Sequence, residues 1–327
     1  MQYTPVRPRE KADRLDPRIY ADIDELVRLQ FKAQGFSFLP RQPVHSILFG
    51  RHAPRLRGRG LNFEELRRYV PGDDIRSMDW KVTARTNQPH TKVFCEERER
   101  PVLLWLDLNP PMFFATRGAF KSVVATQAAS LLAWSTVSSN DRLGALVFSG
   151  DEHIEIRPKR GKAAALDFIR RTCAHPVWNN SADTSQARDM SRSASRLRQV
   201  VKPGSLIFMI SDFREMDDKA RSHIINLSRH NNLVLIHVFD PFEAALPTSG
   251  QYKVSDGENE VALNTANKKL RSAYQSRFSA HQEKMKLLCR QHRMHWIPIS
   301  TEDDVLEALQ KGLGIRDNKS SQFRASQ

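Results

Sequence analysis

Two apolar runs in this chain end on a carboxylate. Pro101-Val-Leu-Leu-Trp-Leu-Asp107 gives way to Leu-Asn-Pro-Pro111, and Gly204-Ser-Leu-Ile-Phe-Met-Ile-Ser-Asp212 gives way to a polar, helix-starting segment. Short runs that are apolar at every position read as strands covered on both faces, as in the middle of a parallel sheet. Ligands of open α/β sheets bind outside the carboxyl ends of such strands. Asp107 and Asp212 are therefore expected on one rim, where a pair of acids can hold a cation or accept hydrogen bonds from a partner. Taken singly, each is better explained as a helix cap.

Other chemistry finds little support. No Gly-x-Ser-x-Gly is present, so a nucleophile elbow is missing. Arg157-Pro-Lys-Arg-Gly161-Lys162 lacks both the earlier Gly and the following Ser or Thr of a phosphate-binding loop. Cys289, His292 and His295 have the spacing of metal ligands, but histidines also suit the carboxyl end of a helix, and a fourth ligand is missing. Asp73 and Asp74, adjacent on a turn, point apart and read as structural.

The elements that must position the two acids follow from periodicity. The first strand leads to a helix from about Gly118 to Ser139 and a strand from Arg142 to Phe148, then to an alternating edge strand from His153 to Arg157 and a helix from Gly161 to Cys173. A helix from Ser185 to Val201, the Asp212 strand, a helix from Asp217 to Arg229 and a strand from Leu233 to Phe239 come next. A hairpin from Gln251 to Leu263 turning at Asp256-Gly257, a basic helix from Ala266 to His292, a strand from Met294 to Ile299 and a helix from Glu302 to Lys311 complete the pattern. Such alternation predicts an α/β fold, a mostly parallel sheet with helices on both faces.

Ahead of it, Asp16-Pro17 is expected to open a helix burying Ile19, Ile23, Leu26 and Val27, and residues 41–100 read as a smaller irregular subdomain with short strands. The expected organisation is thus a lead and helix over 1–40, the small subdomain over 41–100, the α/β domain over 101–312 and a disordered tail over 313–327.

The chain has 327 residues, is 40% hydrophobic and carries a net charge of +14. It is long enough for one large core with an appendage, and its surface attracts anions: nucleic acid, acidic lipid or an acidic protein. The three scattered cysteines argue against a disulfide framework and fit a reducing cytoplasm. No apolar stretch reaches the roughly 18 residues of a spanning helix, and the first residues lack the apolar core of a signal peptide. Lys268, Lys269, Arg271, Arg277, Lys284 and Lys286 on the basic helix form the best candidate docking surface, or an ordinary solvated face.

The densest motif lies in the small subdomain: Gly58-x-Gly60, then Phe63-x-x-Leu66-Arg67-x-Tyr69, Pro71-Gly72-Asp73-Asp74, Arg76-x-x-Asp79-Trp80 and Arg85. Its turn residues and alternating Arg and Asp suit a structural role, with Asp73 as a helix cap and the charges as a partly buried ion network. This series, followed by a strand ending in Asp, resembles the bacterial domain-of-unknown-function 58 family. Asn62 departs from the Glu common at its position.

The resemblance covers residues 40–310 and implies a von Willebrand A-like domain associated with a MoxR-type AAA+ ATPase. It also implies a metal-ion-dependent adhesion site in degenerate form. Asp107 matches the first ligand, Asp212 the last, and Thr184 is the candidate for the middle one; Asn109 and Pro111 stand at the two serine positions. Mg²⁺ or another divalent cation would need oxygen donors that Pro111 does not have. The function so implied is a non-enzymatic adaptor for the ATPase or its protein clients, in the assembly or maturation of complexes. The alternative, carried by charge, is a binder of nucleic acid or of anionic membrane surfaces.

Overall fold

The computed structural model describes residues 16–33, 61–70, 75–96, 101–150, 152–179, 190–247, 250–255 and 260–314. The expected disordered tail, the Asp256-Gly257 turn and Thr184 lie outside them. The chain divides into two compact units, Phe49–Glu99 and the remainder.

The first helix, α1 (Ile23–Ala33), belongs to the larger unit and does not stand apart as a separate lead. It starts later than the Asp16-Pro17 signal predicts. Asp16 instead closes a turn, accepting from the backbone and side chain of Arg18, and Asp22 caps the helix by accepting from the Glu25 N–H at 2.9 Å. The buried stripe is consequently Leu26 and Ala33, with Ile19 and Ile23 left exposed. The Trp134 indole N–H donates to the Leu26 carbonyl at 3.0 Å and pins α1 to the core.

In the smaller unit, β1 (Leu61–Arg68) pairs antiparallel with a later strand, β2 (His90–Glu96), across the short helix α2 (Trp80–Thr86). Helix α2 begins where Asp79 accepts hydrogen bonds from the Lys81 and Val82 N–H groups.

The larger unit contains β3 (Pro101–Asp107), α3 (Lys121–Ser138), β4 (Arg142–Ser149), β5 (Glu152–Lys159), α4 (Lys162–Cys173), α5 (Met190–Val200), β6 (Leu206–Ser211) and α6 (Asp218–Ser228). It continues with β7 (Asn232–Phe239), the short α7 (Pro241–Ala244), the hairpin β8 (Gln251–Ser255) and β9 (Glu260–Asn264), α8 (Lys268–Gln291), β10 (His295–Ser300) and α9 (Val305–Gly312). Six of these strands form one sheet in the order β10-β7-β6-β3-β4-β5, parallel except for the edge strand β5.

Alternation along β3 shows why its apolar run is continuous. Val102, Leu104 and Leu106 pack into the core under α1, α3, α4 and α9, whereas Leu103 and Trp105 join the core under α5, α6 and α8. Successive side chains of a strand point to opposite faces, so a strand covered twice has no polar position to spare. Helix α3 is buried almost throughout, from Lys121 to Thr136. This is a von Willebrand A-like α/β fold.

Candidate functional site

Counting from β3 as the first strand, the sheet runs third, second, first, fourth, fifth, sixth. Chain direction across the sheet reverses between the first and fourth strands, and connections diverge there to leave a crevice. Asp107 ends β3 and Asp212 directly follows its neighbour β6, so the topology brings the two carboxylates to that crevice.

Each is buried and fully engaged. Asp107 accepts from the Ser211 hydroxyl at 2.5 Å and, on its other oxygen, from the Asn109 backbone and side-chain N–H groups at 2.9 and 2.7 Å. The Asn109 amide oxygen in turn accepts from the Gly150 N–H at 2.8 Å, tying the exits of β3 and β4 together. Burial, and then the nearby negative charge of Asp212, push the Asp107 carboxyl up to about 7. Burial likewise pushes the Asp212 carboxyl up, but the Lys121 ammonium and Arg214 outweigh it and hold Asp212 below its usual range.

Neither acid acts as a cap on a long helix. Both instead fold the chain back locally, Asp107 onto Asn109 and Asp212 onto the Arg214 N–H at 3.1 Å.

The side chain that organises the rim is one that sequence reasoning missed. Lys121 opens α3 and is wholly buried, its ammonium donating to Asp212 at 2.8 Å and to Glu243 at 2.7 Å. Glu243 comes from α7, where it completes a capping box. Its second oxygen accepts from the Asp240 N–H at 3.1 Å while Asp240 caps the same turn. The Arg214 guanidinium closes the network from outside, 2.9 Å from Glu243, with its side chain 43% exposed.

Asp240 accepts from Thr116 at 2.6 Å and from Thr301 at 2.8 Å, and these bonds with that from Phe242 outweigh burial and hold it below its usual range. Gly118 lets the chain reach Lys121, since its φ of +73° is left-handed and a Cβ there would lie 3.0 Å from the Thr301 carbonyl oxygen. The Asp-Pro-x-Glu capping signal at Asp240 to Glu243 was legible in the sequence; its pairing with Lys121 was not.

A cleft lined by Asp107, Asn109, Pro111, Met112, Met190, Asp212 and Glu215 opens beside the pair. Its volume is about 10 Å³, the size of a single water molecule.

The rim residues do not fit a divalent cation. A hard cation needs several anionic oxygens around it; here each oxygen of the two aspartates and the Asn109 amide oxygen already accepts an N–H, O–H or ammonium hydrogen, and the Lys121 ammonium already supplies positive charge to Asp212. Pro111 contributes no side-chain oxygen, and Thr184 lies outside the described residues. Among those residues no group of three or more His, Cys, Asp or Glu could hold a metal ion. Cys289, His292 and His295 do not converge either. Cys289 is buried in α8, while His295, on β10, bonds the Gly312 carbonyl.

The other predicted sites are more dispersed. On α8, Lys268, Lys269, Arg277 and Lys284 are exposed, Arg271 is drawn to the Thr265 carbonyl, and Lys286 lies 4.0 Å from Glu283. Of the family motif, Gly58, Gly60, Pro71, Gly72, Asp73 and Asp74 fall outside the described residues, so neither the Asp73 cap nor most of the ion network can be traced. Phe63 pairs through its backbone with Phe94. Tyr69 is half-buried, but Leu66, Arg67, Arg76, Trp80 and Arg85 are exposed, Trp80 by 65%.

Sheet order, edge strand and paired acids at the switch point define the class, a von Willebrand A-like α/β protein. Residues 65–284 match the family described as "Protein of unknown function DUF58", and the chain belongs to that family. It is 29% identical over 240 residues to proteins of Mycobacterium tuberculosis and Mycobacterium bovis, both described as uncharacterized, spanning 73% of this chain and 74% of each relative. Among solved structures it resembles the conserved hypothetical protein BatB of Bacteroides thetaiotaomicron, with a TM-score of 0.42 and 14% identity over 66% of this chain and 97% of that one. An aerotolerance-related membrane protein of Bacteroides fragilis matches with a TM-score of 0.41 and 14% identity, over 66% of this chain and 100% of that one. No described helix of the present protein is long and apolar enough to cross a membrane.

Proposed function

We propose that this chain is a non-enzymatic adaptor that docks a protein partner at the rim between β3 and β6, working beside a MoxR-type AAA+ ATPase or its clients in the cytoplasm. The observation that carries the reading is the size and place of the cleft. It sits at the switch point of the sheet, yet at about 10 Å³ it is far below the roughly 300 Å³ at which small-molecule pockets begin. A cleft of that size suits the tip of one side chain presented by a protein surface better than an enclosed substrate. The ATPase as partner rests on the family resemblance.

The test is capture of partners from native cells on the immobilised protein. Pro111→Arg fills the mouth of the cleft and leaves the Lys121 network untouched, and it is expected to abolish capture while the wild type retains its partner at moderate salt. Unchanged capture by Pro111→Arg would remove the rim from the account. Binding that collapses steeply with salt and is competed by DNA would favour the charge-driven alternative.

A further inference from the structure

Lys121 is a poor choice if stability alone were at stake. Its ammonium is wholly buried at the amino-terminal end of α3, where the helix dipole disfavours positive charge and leaving water is costly before any partner is met. Two carboxylates from distant parts of the chain converge on it, Asp212 from the end of β6 and Glu243 from α7, and Arg214 covers them from outside. The arrangement has the form of a cation site with its cation supplied by the protein.

We propose that the Lys121 ammonium is the resident cation of the Asp212–Glu243 pair, held between the two carboxylates, so that the pair is complete without metal. The inference rests on the geometry of the rim and not on the identity of any partner. It follows that Asp212 and Glu243 form a latent divalent-cation site that the lysine blocks.

Mn²⁺ is the probe, followed by paramagnetic resonance and by thermal unfolding of the full chain. The wild type is expected to take up no stoichiometric Mn²⁺ at millimolar concentration, and its midpoint should move with neither Mn²⁺ nor chelator. Lys121→Ala should unfold at lower temperature, recover several degrees when Mn²⁺ is added, and lose that recovery when Glu243→Gln is combined with it. Stoichiometric Mn²⁺ on the wild type, abolished by Asp212→Asn, would overturn the proposal, as would a folded Lys121→Ala protein that gains nothing from the ion. Should Lys121→Ala fail to fold, the wild-type titration decides by itself. None of these readouts involves a partner, so they can fail while rim docking stands, and the reverse.

Discussion

The small antiparallel unit and the rim of the large sheet are opposites in how they look in sequence and how they sit in the fold. The small unit holds the most conspicuous motif of the chain, yet Leu66, Trp80, Arg76 and Arg85 are exposed, and the role that can be assigned firmly is that of Asp79, a helix cap. The rim is assembled from a lysine, an arginine and four acids scattered from Asp107 to Glu243, and all but the arginine are buried. Among the described residues, Leu66, Arg76, Trp80 and Arg85 of the conspicuous motif are exposed, whereas the inconspicuous residues of the rim form a buried charged network.

The contrast predicts unequal responses to mutation. The largest effect is expected at Lys121. Lys121→Met leaves Asp212 and Glu243 with only the half-exposed Arg214 guanidinium as counter-charge, and breaking a buried pair in this way costs about 3–5 kcal/mol. Urea unfolding measures it, and a loss below 1 kcal/mol would show that the network is not held by the lysine.

Next is Gly118→Ala, which forces a side chain into a left-handed backbone against the Thr301 carbonyl. It should cost about 1–2 kcal/mol and displace the start of α3. The same unfolding assay applies, with recovery of full stability as the contrary result.

A third effect is a change of slope with pH. The Asp107 carboxyl lies higher in the folded protein, at about 7, than its ordinary 3.8, so the native state holds its proton over that window. Its contribution is complete at low pH and is lost as pH rises from about 4 to about 7. His237, pushed down to about 3 from 6.5 by burial, acts in the other direction, because the unfolded chain binds its proton first and stability falls on acidification through that range.

Between about 4 and 6.5 the two slopes oppose each other. His175 and His281, also held down by burial, add to the upward slope, so Asp107→Asn should make stability climb more steeply with pH there, and His237→Phe should make it climb less steeply than wild type. Identical slopes in wild type and Asp107→Asn would contradict the assignment. The smallest effect is expected at Trp80, where the Ala variant of an exposed side chain should stay within about 0.5 kcal/mol of wild type in the same assay.

Much of the sheet was legible from residue pattern. The runs ending in Asp107 and Asp212 are strands because both faces of β3 and β6 are covered, and the alternation of His153 to Arg157 does mark the antiparallel edge. The start of α1 was misread because Asp16 and Asp22 carry the same capping signal, and which of them starts a helix depends on where Trp134 holds Leu26. Lys121 was invisible for a related reason. A lysine in the first turn of a helix usually reaches for solvent, and nothing local tells that Asp212 and Glu243, 91 and 122 residues away, will enclose it. Helix periodicity locates α3 as a helix but not its burial on nearly every side, and long-range pairing of charge has no period to find.

The most direct test measures the affinity of one partner, captured from native cells, for the wild type, Pro111→Arg and Trp80→Ala, with chelator present throughout. If the rim is the docking point and Lys121 its cation, wild type and Trp80→Ala bind alike in chelator and Pro111→Arg does not bind. Loss of binding with Trp80→Ala and retention with Pro111→Arg would move the function to the small unit and contradict the account.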